Sequence, residues 1–238
     1  GVSFAALCVV NRDVAREPEA VWHLLSREVG TWRIQFTPCV ETAGFKSSAP
    51  ALALERAEAA PVARGVEVTD WSVDPDDYGR FLCTVWDLWM AEGFGRIHVN
   101  LFESAVAQAM GLPAHNCTSA PICGKALALE HDGHLYSCDH FVYPEYQLGN
   151  IRDQHEGNLA FSAKQAKFGT AKYDTLPREC RECPVLKLCW GECPKNRLLR
   201  TADGEPGLNY LCSGLKAFYT KVLADMPEIR ARISHRSG

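Results

Sequence analysis

The sequence predicts an α/β protein: a layer of strand–helix units followed by a small cysteine-rich domain holding a β-hairpin and short helices. Three observations predict it. Apolar runs of strand length alternate with helix-period patterns through about residue 110. Eight of the 11 cysteines fall between Cys117 and Cys212. Asp132-Gly133, set between apolar-rich runs, is a strong hairpin-turn signal. The chain has 238 residues, 47% hydrophobic and 23% charged, with a formal net charge of −4. That is the composition of a soluble globular protein of one large or two modest domains. There is no basic stripe interleaved with aromatics, which argues against a nucleic-acid partner. There is also no apolar run near the ~18 residues of a membrane span.

Residues 4–11 read as a strand. Residues 18–29 follow as a helix, with Val21, Trp22, Leu24, Leu25 and Val29 on its apolar side and Pro18 at its start. Residues 32–40 are strand-like again, and 41–65 form an Ala-rich loop or insertion. A second helix is expected over 75–92, a third strand over 96–102, with Arg96 and Asn100 on one side of it, and a short helix over 103–110. This order implies a parallel sheet with crossover helices. Three units are too few for a closed eight-stranded barrel and suit part of a larger or partial one. The domain boundary is expected near 111–116, dividing the chain into 1–112 and 113–238. Beyond it come the hairpin over 125–137, a short helix over 161–168, and a closing helix over 207–226. The apolar side of that closing helix carries Leu211, Leu215, Phe218, Tyr219, Val222 and Leu223. Between 116 and 206 continuous apolar pattern is scarce, so this half is expected to depend on metal for folding.

The cysteines run Cys117-x5-Cys123-x14-Cys138, then Cys180-x2-Cys183-x5-Cys189-x3-Cys193-Pro194, then Cys212. Thiolates at such spacing select iron–sulfur clusters or zinc. A Cys-Pro ending a tight run resembles ferredoxin-type runs, whose last cysteine serves the other cluster. Cys193 would then join Cys117, Cys123 and Cys138, and Cys212 would complete Cys180, Cys183 and Cys189. Structural zinc remains the alternative at this point. Cys8 and Cys83 lie in apolar strand and helix patterns, Cys39 lies at a strand's C-terminal end, and all three read as buried free thiols. The chain opens Gly1-Val2-Ser3 with neither an initiator Met nor a signal peptide, and is read as a fragment. A reducing cytoplasm, which keeps thiols available for metal, is expected.

These residues resemble the SPASM or twitch auxiliary-cluster domain of radical S-adenosylmethionine enzymes. Their flanks resemble the anaerobic sulfatase-maturating enzymes: Tyr136-Ser137-Cys138-Asp139-His140-Phe141, Leu148-Gly149-Asn150-Ile151, Cys193-Pro194-Lys195-Asn196-Arg197, and the run from Asp203 to Cys212. Ile34-Gln35-Phe36-Thr37-Pro38 resembles a late barrel strand of that family.

The resemblance implies the C-terminal portion of a partial radical SAM barrel over 1–112 and a SPASM domain over 113–238. Cys117, Cys123, Cys138 and Cys193 would hold one auxiliary [4Fe–4S] cluster. Cys180, Cys183, Cys189 and Cys212 would hold the second. It also implies Asp139 as catalytic base and a backbone contact from Val40 to the cofactor. The partners implied are an unfolded sulfatase polypeptide and an electron donor such as ferredoxin or flavodoxin. The activity implied is radical oxidation of a sulfatase Cys or Ser to Cα-formylglycine. The Cys-x3-Cys-x2-Cys triplet of the S-adenosylmethionine-cleaving cluster does not occur in the chain. That third cluster and S-adenosylmethionine would therefore belong to the full-length protein, and the fragment alone is expected to be inactive. The competing readings are another SPASM-containing peptide-modifying enzyme, or an iron–sulfur electron-transfer or scaffold module without its own catalysis.

Overall fold

The computed structural model describes residues 2–43 and 66–236. The insertion expected over 41–65 lies almost wholly outside them. Strands β1 (Ala6–Val10), β2 (Arg33–Pro38) and β3 (His98–Val99) form one parallel sheet in that order. Ala6 opposes Ile34, Val10 opposes Pro38, and Ile34 opposes Val99. Helix α1 (Pro18–His23) starts on Pro18 and ends in a π turn over Leu24–Glu28. Helix α2 (Pro75–Leu88) begins where the Asp74 carboxylate accepts from the amides of Asp76 and Asp77, with Pro75 at its first position. That side-chain cap satisfies two of the amides a helix start leaves without partners.

The third unit differs from the sequence expectation. Pairing with β2 stops at Val99, and helix α3 (Asn100–Ala109) starts immediately. Leu101, Phe102, Ala105 and Val106 recur at helical spacing and are buried, so burial favours helix from Asn100 onward. Arg96 and Asn100 therefore do not share a strand face. Arg96 lies ahead of the strand and donates to the Glu92 carbonyl, while Asn100 opens α3.

The second half holds a three-stranded antiparallel sheet of β4 (Ala128–Leu129), β5 (His134–Tyr136) and β6 (Gln147–Asn150). The turn at Asp132-Gly133 is closed by the Gly133 amide donating to the Glu130 carbonyl at 2.9 Å, with Gly133 at φ +88°. The helix expected over 161–168 instead spans Ala163–Asp174 (α5), after the short α4 (Glu156–Ala160). It starts where the Ser162 hydroxyl accepts from the Gln165 amide, and this cap leaves Phe161 outside the helix and exposed. Two one-turn helices, α6 (Arg178–Arg181) and α7 (Leu186–Cys189), precede a small ribbon of β7 (Leu199–Arg200) and β8 (Pro206–Leu208).

The closing helix α8 (Cys212–Arg236) starts later and runs longer than expected, continuing through Pro227. Leu211, Leu215, Phe218, Tyr219, Val222, Met226 and Ile229 are buried along one stripe. Leu223 is off that stripe and 42% exposed, contrary to the apolar side expected from sequence. One turn of 3.6 residues carries it past the edge of the contact. The stripe packs on α2: Trp86 meets Phe218 edge-on at 5.8 Å and Phe102 at 5.2 Å, and its indole N–H donates to Asp225 at 2.8 Å. One buried core therefore joins the sheet, α2, α3 and α8. Phe141, Tyr143, Tyr146 and Phe168 form a smaller aromatic cluster in the cysteine-rich half.

Candidate metal centre

A cavity of about 410 Å³ opens between the sheet and the cysteine-rich half. Thr37 and Pro38, at the C-terminal end of β2, and Asn100, just past β3, line one wall. Cys117, Cys123, Cys138 and Cys193 all line it, together with Asp139 and His140. Cys180, Cys183, Cys189 and Cys212 do not.

The thiols form two groups by mutual electrostatic influence. Cys117 acts on Cys123 and Cys138, and Cys193 feels Cys138 and Cys123. Cys189 feels Cys212 and Cys180, and Cys212 feels Cys180 and Cys183. All 11 cysteines are free thiols. Burial pushes Cys138 and Cys189 up to about 12 and Cys212 up to about 11. Burial also raises Cys193, with the Glu192 carboxylate adding to the effect. Such thiols stay protonated until a cation replaces the proton, so metal binding here releases protons. Groups of sulfur donors such as these suit soft metal centres.

Local structure explains the grouping. Cys138 follows β5, where the Phe141 amide donates to its carbonyl at 3.0 Å. Asp139 is exposed, and its carboxylate accepts from the His140 amide at 3.1 Å and from the Cys138 thiol at 3.1 Å. The ligand atoms of Cys138, Asp139 and His140 lie within 4.8 Å of one another. Cys180 and Cys183 are joined by a turn, the Cys183 amide donating to the Cys180 carbonyl at 3.2 Å. Cys189 ends α7, and Cys193 lies beyond three left-handed residues: Trp190 (φ +49°), Gly191 (φ +68°) and Glu192 (φ +52°). This hook separates Cys193 from the sulfur group of Cys189, at about 1–2 kcal/mol for each non-glycine residue. A side chain at Gly191, already strained at φ +68°, would also push aside the ends of Leu176 at 2.6 Å and Arg197 at 2.8 Å, so glycine is favoured there.

Two residues of the barrel portion differ in their relation to the cavity. Gln35 lines the cavity and accepts from the Asn100 amide at 3.4 Å. Val40 is buried in the core two residues beyond β2 and does not line the cavity. Around the first thiol group, sequence reasoning missed Lys172 and Glu192. Lys172 is 1% exposed, and its ammonium donates to the carbonyls of Cys117 and Thr118, both at 2.6 Å. Burial pushes that ammonium below its ordinary value, with Glu192 acting the other way. Glu192 is itself buried, lines the cavity and accepts from the Cys193 amide. The only sequence signal for Lys172 was a charge within an otherwise ordinary helix face, and Glu192 had none.

Residues 117–184 match the SPASM model, an iron-sulfur cluster-binding domain. The whole chain is 41% identical to a serine-type anaerobic sulfatase-maturating enzyme of Bacteroides thetaiotaomicron, covering 56% of that protein. A serine-type enzyme of Klebsiella aerogenes is 30% identical over 94% of the chain and 48% of its own length. A cysteine-type enzyme of Clostridium perfringens is 26% identical over 92% of the chain and 54% of its own length. The chain thus spans about half the length of the curated relatives it matches. The solved structure of native anSMEcpe with bound AdoMet and a Cp18Cys peptide has the same fold, with a TM-score of 0.75 at 24% identity over 97% of this chain and 58% of that one. Among the described residues, no helix is long and apolar enough to cross a membrane.

Proposed function

Because the chain is homologous along its whole length to anaerobic sulfatase-maturating enzymes, we propose that the intact protein oxidises a sulfatase Cys or Ser to Cα-formylglycine by radical SAM chemistry. The observation that carries this reading is the sharing of one cavity by Asp139, four thiols and the C-terminal end of β2. Cys117, Cys123, Cys138 and Cys193 would hold one auxiliary [4Fe–4S] cluster; Cys180, Cys183, Cys189 and Cys212 would hold the second. When bound, these clusters supply one-electron acceptors beside the substrate, while S-adenosylmethionine and a third cluster outside this chain supply the oxidant that removes a hydrogen atom from the substrate Cβ.

The chain's own residues perform the rest. The cavity admits the target side chain between the sheet wall and the thiols. Asp139 takes the proton from the substrate hydroxyl or thiol as one further electron leaves. The net loss of two hydrogens gives an aldehyde from Ser or a thioaldehyde from Cys, and water converts the latter to formylglycine with release of hydrogen sulfide. A base within hydrogen-bond reach contributes about 10²–10⁴-fold. The Asn100–Gln35 pair lines the same cavity as Asp139 and offers amide groups to a peptide backbone. Val40 would contribute a backbone contact at the cofactor side. The division at 112/113, a cytoplasmic setting, an unfolded sulfatase substrate and a ferredoxin or flavodoxin donor belong to the same reading.

The test uses the intact protein, reconstituted anaerobically with iron, sulfide and S-adenosylmethionine, on sulfatase-motif peptides carrying Ser or Cys. Mass spectrometry should detect formylglycine in at least one peptide. Unchanged peptides alongside reductive cleavage of S-adenosylmethionine would sink the maturase reading and favour a different peptide modification.

A further inference from the structure

Arg197, which follows Cys193 and its short 3₁₀ turn, holds the hook between the two thiol groups. Its Nη2 donates to the Trp190 carbonyl at 2.9 Å and its Nε to the Gly191 carbonyl at 3.2 Å. Its Nη1 donates to the Lys172 carbonyl at 2.8 Å and the Thr175 hydroxyl at 3.3 Å. The fork thus ties the Cys189–Cys193 link to α5. Through Lys172, whose ammonium grips the Cys117 and Thr118 carbonyls, the chain of bonds reaches the far side of the first thiol group.

The charge is placed as unusually as the bonds. Arg197 makes no ion pair with a carboxylate among the described residues. Burial pushes the guanidinium below its ordinary value, and Cys180 and Cys189 of one set and Cys123 and Cys193 of the other act the other way. A guanidinium does not lose its proton in a protein. A half-buried cation between two sulfur sets, bonded only to neutral groups, has anionic thiolates as its natural counter-charge.

We propose that Arg197 is a shared positioning residue of the two sulfur sites: its fork fixes the hook that sends Cys193 across, and its charge makes both sites easier to reduce. This rests on the cluster reading above. A positive charge nearby favours the reduced, more negative state of an iron–sulfur centre, and no bond at Arg197 is made or broken when the electron arrives.

The test is an anaerobic titration of the intact, reconstituted protein with dithionite, a one-electron reductant, followed by EPR, with iron and sulfide measured per chain. The third cluster of the full-length protein serves as internal reference. Arg197→Gln should shift both auxiliary midpoints negative by a tenfold change in the one-electron equilibrium, about 59 mV. Arg197→Lys, which keeps the charge and loses the fork, should stay within threefold of wild type while amide exchange over 190–192 quickens. Arg197→Gln with full iron and wild-type midpoints would overturn the proposal. If Arg197→Gln does not retain iron, Arg197→Lys decides: wild-type midpoints support the proposal, and a tenfold negative shift despite the retained charge contradicts it. Wild-type protein without labile sulfide would instead fail the cluster reading, before any variant is compared.

Discussion

His140 Nδ1 lies 3.4 Å from Cys193 Sγ, across 53 positions of sequence. This contact joins the turn carrying Cys138 and Asp139 to the cysteine that lies beyond the left-handed hook. Asp139 and His140 both line the cavity and each meets a thiol, the Asp139 carboxylate Cys138 and the His140 ring Cys193. The base role proposed above belongs to Asp139 alone. Asp139→Asn should lower kcat by about 10²–10⁴-fold with iron content unchanged. His140→Ala should cost less than about tenfold, the scale of one hydrogen bond, and alter the EPR signal of the first site alone. Equal losses in the two variants, measured by single-turnover peptide oxidation, would contradict this division.

Gly79 and Gly214 meet backbone to backbone where α2 crosses α8. A Cβ on Gly79 would fall 2.5 Å from the Gly214 Cα, and one on Gly214 would fall 2.0 Å from the Pro75 carbonyl oxygen. Neither neighbour can yield by a rotamer change. Gly214→Ala should destabilise the protein by about 1–3 kcal/mol through overpacking. Gly124→Ala, where an added Cβ meets nothing within 4 Å, should stay within about 0.5 kcal/mol. Chemical denaturation of the two variants compares them directly.

Lys172→Met keeps the buried stem and removes the donor shared by the Cys117 and Thr118 carbonyls. The expected result is lower iron occupancy of the first thiol group, unchanged occupancy of the second, and faster amide exchange over 117–120. The Thr118 carbonyl loses this donor at a cost of about 1–3 kcal/mol, while the Cys117 carbonyl keeps the Ala120 amide at 3.3 Å. Equal iron loss from both groups would show that Lys172 serves the fold and not the Cys117 loop.

Glu92 links the start of the chain to the end of α2. Hydrogen bonds from the Trp22 indole and the Arg27 guanidinium hold its carboxyl below the ordinary carboxylate range. A carboxylate with a lowered folded-state pKa stabilises the fold above its unfolded value, about 4.3, and loses that contribution as pH falls through the folded value. Glu92→Gln should therefore flatten the acid limb of the stability–pH profile below about pH 4.3 and leave its neutral region sloped as in wild type. An unchanged acid limb in urea denaturation at stepped pH would contradict this.

The parallel sheet, α2 and the hairpin turn were legible because apolar period and turn chemistry act locally. The start of α3 was not. The residues from Arg96 to Phe102 suit a strand as well as a helix, and only the end of pairing at Val99 decides between them. Leu223 misled for a related reason: an apolar residue one step off a helical stripe looks like part of it until the partner's width is known. At the site, cysteine spacing carries information because ligands must converge, whereas Lys172, Glu192 and Arg197 act through backbone carbonyls and amides. Such contacts leave no spacing rule in the sequence, and their roles emerge only once the hook after Cys189 is folded.

The division of eight thiols into two crossing sets is tested most directly by iron and sulfide content in paired variants of the reconstituted protein. Cys138→Ala combined with Cys193→Ala should remove about four irons, no more than either change alone, because both residues serve one site. Cys189→Ala combined with Cys193→Ala, which touches both sites, should remove about eight. Equal losses in the two pairs, or additive loss in the first, would contradict the crossing of Cys193.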